Sequence, residues 1–320
     1  MKPASILILT NCTGRKRLVP ILRAGALLAR SIPRGDYATV ADEWNSRIAS
    51  APRHYVANQL YCGRAITETL LAAESVQAAV AFISAGLGVV GQYDRVPAYS
   101  LTATPGFPDS VSCQITDPYH PAKWWAALSH QWALKNPLAS YIENACPSLT
   151  LLAMPTGYLS MVSEDLAALP ASLRHTLRII GPRQAPDVAV ELRANLLPYD
   201  ARLDDRESGV NGTASDFPHR ALRHFATKIL PSNLAGDAQA HATAVTQSLS
   251  KFRAYVRPRG DTATDDEVMA TIRKLWEKHN GRRMPILREL RSERNMACEQ
   301  SRFRILANTV EEHLNAAAKK

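Results

Sequence analysis

Several features that define common classes of protein are missing from this 320-residue sequence. Its five cysteines are scattered without a CxxC pair or a Cys/His ligand spacing, which argues against a zinc site or a metal cluster and is typical of reduced thiols. The apolar run Ile6–Leu9 is too short for a signal core or a membrane span. We therefore expect a cytoplasmic protein with no metal and no membrane partner.

Motifs for nucleotide cofactors are also missing. Residues 14–17 lack the GxxxxGK[ST] spacing of a Walker loop, and Gly86 and Gly88 stand without the rest of a dinucleotide fingerprint. The sequence contains no GxSxG element. These absences disfavour a dependence on ATP or NAD, and we expect no cofactor.

Acidic residues are the scarcer charged class, with 29 Asp and Glu against 38 Lys and Arg, so the net charge is +9. An excess of cations favours polyanionic partners, with nucleic acid the leading candidate. Between Arg273 and Arg304 there are ten cations and four acids, a surplus of six in a tenth of the chain. This segment is predicted to bind double-stranded DNA. The alternative is a solvated basic face on a structural bundle.

Apolar periodicity predicts an α/β fold with a parallel-sheet, three-layer core. Short apolar runs indicate four strands, at Ile6–Thr10, Ala79–Ser84, Leu149–Met154 and Leu177–Gly181. Helical patterns alternate with these strands, at Val19–Ala29, Ala65–Glu74, Trp124–Leu134 and Ser163–Leu169.

The rest of the chain is divided at a linker over residues 257–261. We assign residues 1–256 to the α/β domain, with a long site loop at 198–218, and residues 257–320 to a basic helical module. After the loop, two helices are predicted at Arg220–Leu230 and Leu234–Val256, the second capped by Ser232.

The module is predicted to contain three helices. A capping box of Thr264 and Glu267 begins the first, and a tight turn at 294–296, with Asn295 left-handed, joins the other two. Two helices joined in this way resemble a helix-turn-helix, although any α-hairpin gives the same pattern. The expected helices are Val268–His279, Met284–Glu293 and Ala297–Leu314.

Four segments occur in the same order in bacterial proteins with a uracil-DNA-glycosylase-like fold: Thr10–Lys16, Leu60–Gly63, Ile83–Val90 and Val96–Thr102. Over residues 1–220 the chain resembles a branch of that superfamily with domains related to archaeosine and deazaguanine transglycosylases and, more distantly, to peroxide-stress DNA-binding proteins. Some members of the group look like phage-defence DNA glycosylases that remove a hypermodified base, such as a glucosylated hydroxymethylcytosine. The resemblance implies a DNA glycosylase that flips and excises a modified base of phage DNA and leaves an abasic site.

Such an enzyme needs a pocket for the flipped base, and the carboxyl ends of parallel strands are the expected place for it. Tyr99 is predicted to offer a stacking face, and polar groups at three strand ends are predicted to hold the base edge. A set of ordinary strand-end caps would give the same pattern. The predicted pocket residues are Asn11, Cys12, Thr13, Ser84, Gly86, Tyr99, Thr156 and Tyr158.

Cleavage of an N-glycosidic bond passes through an oxocarbenium-like sugar, which a carboxylate or an activated water near C1′ stabilises. Asp216 is the first candidate. Because aspartate is also a common N-cap, a purely structural role at the start of the following helix is equally expected. Asp117 is the second, because residues 117–120 match the Asp-Pro-Tyr-His core of the uracil-DNA glycosylase water-activating motif. In that family the motif follows the first strand, and here a simple turn explains it equally well. His120 could move a proton.

DNA contacts are predicted from cations beside the cleft and from the basic module. They are Arg15, Lys16, Arg17, Arg220, Arg288, Arg291, Gln300, Arg302 and Arg304. Two other functions stay open: a base-exchanging transglycosylase, and a DNA-binding or regulatory protein without catalysis.

Overall fold

The computed structural model describes residues 5–14, 16–18, 20, 26–130, 132, 135–181, 188–254 and 260–317. The chain forms two compact units, residues 1–255 and 256–320, and each has its own hydrophobic core. Residues 257–259 of the predicted linker lie outside the described residues.

The strands of the described residues fall into one main sheet and two small pairs. They are β1 Ile6–Asn11, β2 Tyr55–Val56, β3 Ala79–Ser84, β4 Gly88–Gly91, β5 Arg95–Val96, β6 Leu149–Ala153, β7 Leu177–Ile180, β8 Asp261–Thr262 and β9 Met296–Ala297.

The α-helices of the described residues alternate with the main strands and then make up most of the second unit. They are α1 Tyr37–Ala49, α2 Ala57–Leu60, α3 Arg64–Val76, α4 Pro121–His130, α5 Pro137–Ala145, α6 Thr156–Ala167, α7 Ala171–Arg174, α8 Phe217–His224, α9 Ala238–Leu249, α10 Asp265–Lys278, α11 Arg283–Ser292 and α12 Gln300–Ala317.

The main sheet has the strand order β4-β3-β1-β6-β7. β3, β1, β6 and β7 run parallel, and β4 returns antiparallel beside β3. The prediction of an α/β fold with a mostly parallel sheet is confirmed. β4 was not predicted, because its short Gly-Val-Val-Gly sequence follows β3 after only a few residues and was assigned to the loop.

Both faces of the central strand are covered. All six residues of β1 are buried, which is why the strand is a continuous apolar run rather than an alternating one. Among the helices, α3 packs against α8, and α4 packs against α1 and α6. No helix within the described ranges is both long enough and apolar enough to cross a bilayer.

Several helix boundaries differ from the prediction. The helix predicted at Val19–Ala29 lies partly outside the described residues, and Ala29–Ser31 is a 3-10 turn. The predicted cap Ser232 is wrong, because α9 begins at Ala238 and the carboxylate of Asp237 accepts the Ala240 N–H at 2.7 Å. The predicted loop at 198–218 contains short 3-10 turns at Ala201–Asp204, Arg206–Ser208 and Ala214–Asp216, and α8 begins within it at Phe217.

The second unit packs α10, α11 and α12 around one core. The capping box of Thr264 and Glu267 is confirmed, and so is the left-handed Asn295, whose φ is 51°. The tight turn predicted at 294–296 is longer, because β9 pairs with β8 between α11 and α12. A helix-turn-helix function for this unit stays a prediction.

Candidate functional site

A cleft of about 270 Å³ opens at the carboxyl ends of β1 and β6. In the strand order of the main sheet, β1 is followed along the chain by β3 on one side of it, and β6 is followed by β7 on the opposite side. The cleft between β1 and β6 therefore lies at the topological switch point. Ligands bind at this position in open α/β sheets. Asn11 and Cys12 line the cleft at the end of β1, and Pro155 and Tyr158 line it from the segment that follows β6.

The loop at 100–111 brings a carboxylate to the cleft. The backbone N–H of Thr102 donates to the carbonyl of Asp109 at 2.9 Å, and the N–H of Val111 donates to the carbonyl of Thr102 at 3.0 Å. Asp109 lines the cleft, and one of its carboxylate oxygens lies 3.6 Å from Nε of Arg30, another lining residue. An acid and a guanidinium therefore share this wall.

Lys16 supplies a buried amine to the same cleft. Its residue is 9% exposed, and Nζ donates to the carbonyl of Thr13 at 3.2 Å. Nζ also lies 4.2 Å from the centroid of the Tyr99 ring. Burial lowers the pKa of Lys16, although the nearby Cys12 and Asp109 act in the opposite direction. The neutral amine is therefore more populated than in a surface lysine.

Tyr99, on whose ring Lys16 lies, belongs to a hydrogen-bonded chain of hydroxyl groups. The hydroxyls of Tyr61 and Tyr99 are 2.9 Å apart, and that of Tyr99 is 2.6 Å from Oγ of Ser84. Ser84 Oγ also accepts the N–H groups of Gly86 and Leu87. Burial raises the pKa of both tyrosines far above the usual value, so they remain neutral donors and acceptors.

Asn11 is held in one orientation at the end of β1. Its Nδ2 donates to the carbonyl of Cys12 at 2.9 Å, so Oδ1 faces Nε2 of His219, 3.1 Å away. Burial lowers the pKa of His219 to about 4, so the imidazole is neutral and donates through Nε2. The second proton of Asn11 Nδ2 and the second lone pair of Oδ1 have no hydrogen-bond partner among the described residues.

The hydroxyl of Tyr158 is a further polar group in the cleft. It lies 3.5 Å from Sγ of Cys12, and burial raises the pKa of the phenol well above its usual value. The neutral phenol can donate its proton in a hydrogen bond but cannot act as a base near neutral pH.

Three of the eight predicted base-pocket residues line this cleft: Asn11, Cys12 and Tyr158. The predicted stacking role of Tyr99 is wrong, since this residue is fully buried and lies against Lys16 and Trp44. Ser84 and Gly86 are buried beside Tyr99 rather than in the cleft wall.

The remaining two predicted pocket residues lie beside the cleft. The hydroxyl of Thr13 donates to the carbonyl of Cys62 at 2.9 Å, and Thr156 is the first residue of α6. Neither belongs to the cleft lining.

Asp216 has a structural environment away from the cleft lining. Its Oδ1 accepts the N–H of Thr213 at 2.8 Å and Nε of Arg220 at 2.7 Å, and Oδ2 lies 3.4 Å from Nε of Arg64. Burial opposes its ionisation, but the hydrogen bonds from Arg220 and Thr213 outweigh burial and lower the pKa of the carboxyl. Asp216 stands at the N-cap position of α8 but makes no side-chain cap hydrogen bond there, and its carboxylate instead closes the capping box of the preceding 3-10 turn at Ala214–Asp216.

The predicted motif at 117–120 lies in an exposed segment before α4. Asp117 and His120 are both exposed and do not line the cleft. The backbone N–H of His120 donates to the hydroxyl of Tyr37, which bonds to the carbonyl of Pro118. These contacts form the turn that the sequence also allowed.

The predicted DNA contacts of the first unit differ in their burial, and Lys16 is the buried amine of the cleft. Arg220 is fully buried and paired with Asp204 and Asp216, so the prediction that it contacts DNA is wrong. Arg17 is exposed, and Arg15 lies outside the described residues.

The predicted DNA contacts of the second unit differ in how free their side chains are. Arg288, Gln300 and Arg304 are exposed. Arg291 instead donates twice to the carbonyl of Cys298, and Arg302 forms an ion pair with Asp265.

Sequence reasoning missed Asp109, Arg30 and His219. The first two reach the cleft only because residues 27–29 pair with Ser100 and residue 102 pairs with residue 110. His219 carried no local signal beyond its position at the start of a helix. Within the described residues, no group of three or more His, Cys, Asp or Glu side chains could hold a metal ion.

Comparison with protein-family models, with curated proteins and with solved structures gave no match.

Proposed function

We propose that this chain is a DNA glycosylase that excises a modified base, and that the cleft between β1 and β6 receives the flipped nucleotide. The observation that carries the proposal is that Asp109 shares this cleft with the oriented amide of Asn11 and the hydroxyl of Tyr158. Cleavage of an N-glycosidic bond needs a carboxylate to stabilise the sugar cation and hydrogen-bonding groups to hold the departing base, and this cleft contains both.

Asp109 takes the role for which Asp216 is the first candidate in the sequence analysis. Its carboxylate stabilises the positive charge that develops at C1′, or orients the water that attacks there. Arg30 lies beside it, with Nε 3.6 Å from one carboxylate oxygen.

Asn11 and Tyr158 act on the base. The second N–H and the second lone pair of the Asn11 amide, which have no partner among the described residues, can bond to the edge of a pyrimidine, which offers adjacent donor and acceptor groups. The neutral hydroxyl of Tyr158 donates to the base as negative charge builds up on it during departure. Both effects are stronger in the transition state than in the bound substrate.

DNA is the proposed polymer because the net charge is +9 and exposed cations are present in both units. Arg17 lies in the loop after β1, near the cleft, and Arg288 and Arg304 lie in the second unit. The proposal that the base is a hypermodified one of phage DNA, such as glucosylated hydroxymethylcytosine, comes from the resemblance of the sequence and assigns the protein to antiviral defence.

The test is incubation of the full chain with a panel of phage DNAs that carry different modified bases, with unmodified DNA as control. Mass spectrometry of the small molecules should find a free modified base, and alkali should cleave the DNA at the abasic sites. Release only when a second free base is supplied would instead identify a transglycosylase. DNA binding without release from any genome of the panel would refute the enzyme and leave a binding protein.

A further inference from the structure

Lys16 is more deeply buried than a lysine that binds phosphate needs to be. A lysine that contacts DNA backbone is an exposed, hydrated cation, whereas Lys16 is 9% exposed and its Nζ is packed on the Tyr99 ring. The hydrogen bond to the Thr13 carbonyl fixes the amine at the cleft. A fixed and partly dehydrated amine is the form in which lysine acts as a nucleophile toward carbonyl carbon.

The product of base excision is such a carbonyl compound. Loss of the base leaves a hydroxyl group on C1′, and the resulting hemiacetal is in equilibrium with an open-chain aldehyde. Asp109 and Lys16 line the same cleft, so the C1′ aldehyde would form in the cleft that Lys16 also lines.

We propose that Lys16 captures the C1′ aldehyde of an abasic site as a Schiff base. This activity rests on the proposed function for the source of the abasic site, but it does not require that this protein made the site. The inference assigns a second substrate class, abasic DNA, to the cleft.

The chemistry uses only the amine and the aldehyde. The lone pair of Nζ attacks C1′, a proton moves from nitrogen to oxygen, and a carbinolamine forms. The carbinolamine then loses one molecule of water to give the imine between Nζ and C1′. The proton exchanged in these steps can pass through the carboxylate of Asp109. Burial lowers the pKa of Lys16, which increases the fraction of amine that carries the lone pair.

The amine keeps its hydrogen-bond partner when it loses a proton and becomes nucleophilic. The neutral group still has two N–H bonds, one of which can donate to the carbonyl of Thr13 at 3.2 Å while the lone pair points elsewhere. The ring of Tyr99 supports the charged iminium form that follows, because an aromatic face attracts a cation.

The experiment uses the full chain and a duplex oligonucleotide that already contains one abasic site, with cyanoborohydride to reduce any imine to a stable amine. A covalent protein–DNA adduct is expected, and peptide mapping of the wild-type adduct should find the modification on Lys16. Lys16→Arg keeps the positive charge but lacks the nucleophilic amine, so the adduct should fall by about tenfold or more. Lys123→Arg, at an exposed position of α4, is the matched control and should trap as well as wild type.

Mapping in the wild-type protein makes the result independent of how well the variant folds. No adduct, or an adduct mapped to another residue, would overturn the inference. Because the abasic site is made beforehand, an adduct without base release from phage DNA would refute only the proposed glycosylase. Base release without an adduct would refute only the role of Lys16.

Discussion

Nε2 of His219 lies 3.1 Å from Oδ1 of Asn11, and both residues are buried. The histidine comes from α8 and the asparagine from the end of β1, so this hydrogen bond fixes a cleft residue from a distant part of the chain. Nδ1 of the imidazole has no hydrogen-bond partner among the described residues. A buried polar group that is only half satisfied costs free energy, and here it holds the amide in the orientation that meets the cleft.

His219→Leu removes the donor and is expected to slow base release by about tenfold, the equivalent of one ordinary hydrogen bond. His219→Gln keeps a side-chain N–H and should recover most of the loss. His224→Gln, at a buried histidine bonded to Tyr199 instead, is the matched control and should keep the rate constant at temperatures where it is folded. Single-turnover rates of base release check the three variants. Equal rates for the Leu and Gln variants would contradict a positioning role.

Asp109→Asn removes the carboxylate from the cleft while keeping its size. Base release should fall by at least about 100-fold, the magnitude typical of a lost electrostatic contact to a transition state, while DNA affinity should change little. Unchanged release by Asp109→Asn would remove this residue from the mechanism.

Asp216→Asn serves as the comparison, because the same substitution there should act on stability. Arg220 is fully buried and would lose one of its two carboxylate partners, which should lower the free energy of unfolding by about 2 kcal/mol. Urea unfolding measures this loss, and the folded variant should release base at nearly the wild-type rate. Loss of release without loss of stability would restore Asp216 as the catalytic candidate.

Two buried histidines predict acid sensitivity of the first unit. Burial lowers the pKa of His219 and that of His224 to about 4, with Lys228 adding to the effect at His224. Between pH 6.5 and 4 the unfolded chain binds protons at these imidazoles and the folded chain does not. The free energy of unfolding should therefore fall as the pH falls through this window, by on the order of 3 kcal/mol for each histidine.

Urea unfolding at several pH values between 7 and 4.5 checks this dependence. His224→Gln should make it shallower, because one of these groups is gone. His130→Gln, at an exposed position, should leave the slope as in wild type. Identical slopes in all three proteins would show that these imidazoles do not resist protonation in the folded state.

Local sequence signals predicted the elements and failed on the contacts that make the site. The apolar runs identified β1, β3, β6 and β7, because strands buried on both faces leave few alternatives, and the Thr264 capping box depends only on residues three apart. Asp216 contacts Arg64, which is far from it in the sequence. Asp109 reaches the cleft through the pairing of Thr102 with Ser110. Neither contact has a local sequence signal. Lys16 shows the same limit, because its sequence neighbours are cations but its spatial neighbours are tyrosine rings.

The basic surplus of the second unit predicts that its affinity for DNA falls with salt. The exposed cations of this unit should account for that dependence. Arg288 and Arg304 are exposed, so Arg288→Gln with Arg304→Gln should reduce the slope of log K against log salt by about 1.8, or 0.9 for each phosphate contact. Binding titrations on one duplex between 50 and about 200 mM salt measure this slope.

Arg302→Gln is the matched control, because Arg302 lies in α12 together with Arg304. Its guanidinium bonds to Asp265 and to the carbonyl of Ala263, so the substitution should lower the stability of the second unit more than it changes the salt slope. Because an arginine bound to an acid in the free protein must break that pair before it can meet a phosphate, it releases less counterion on binding. An unchanged slope in the double variant would assign Arg288 and Arg304 to a solvated surface and leave the first unit to hold the DNA.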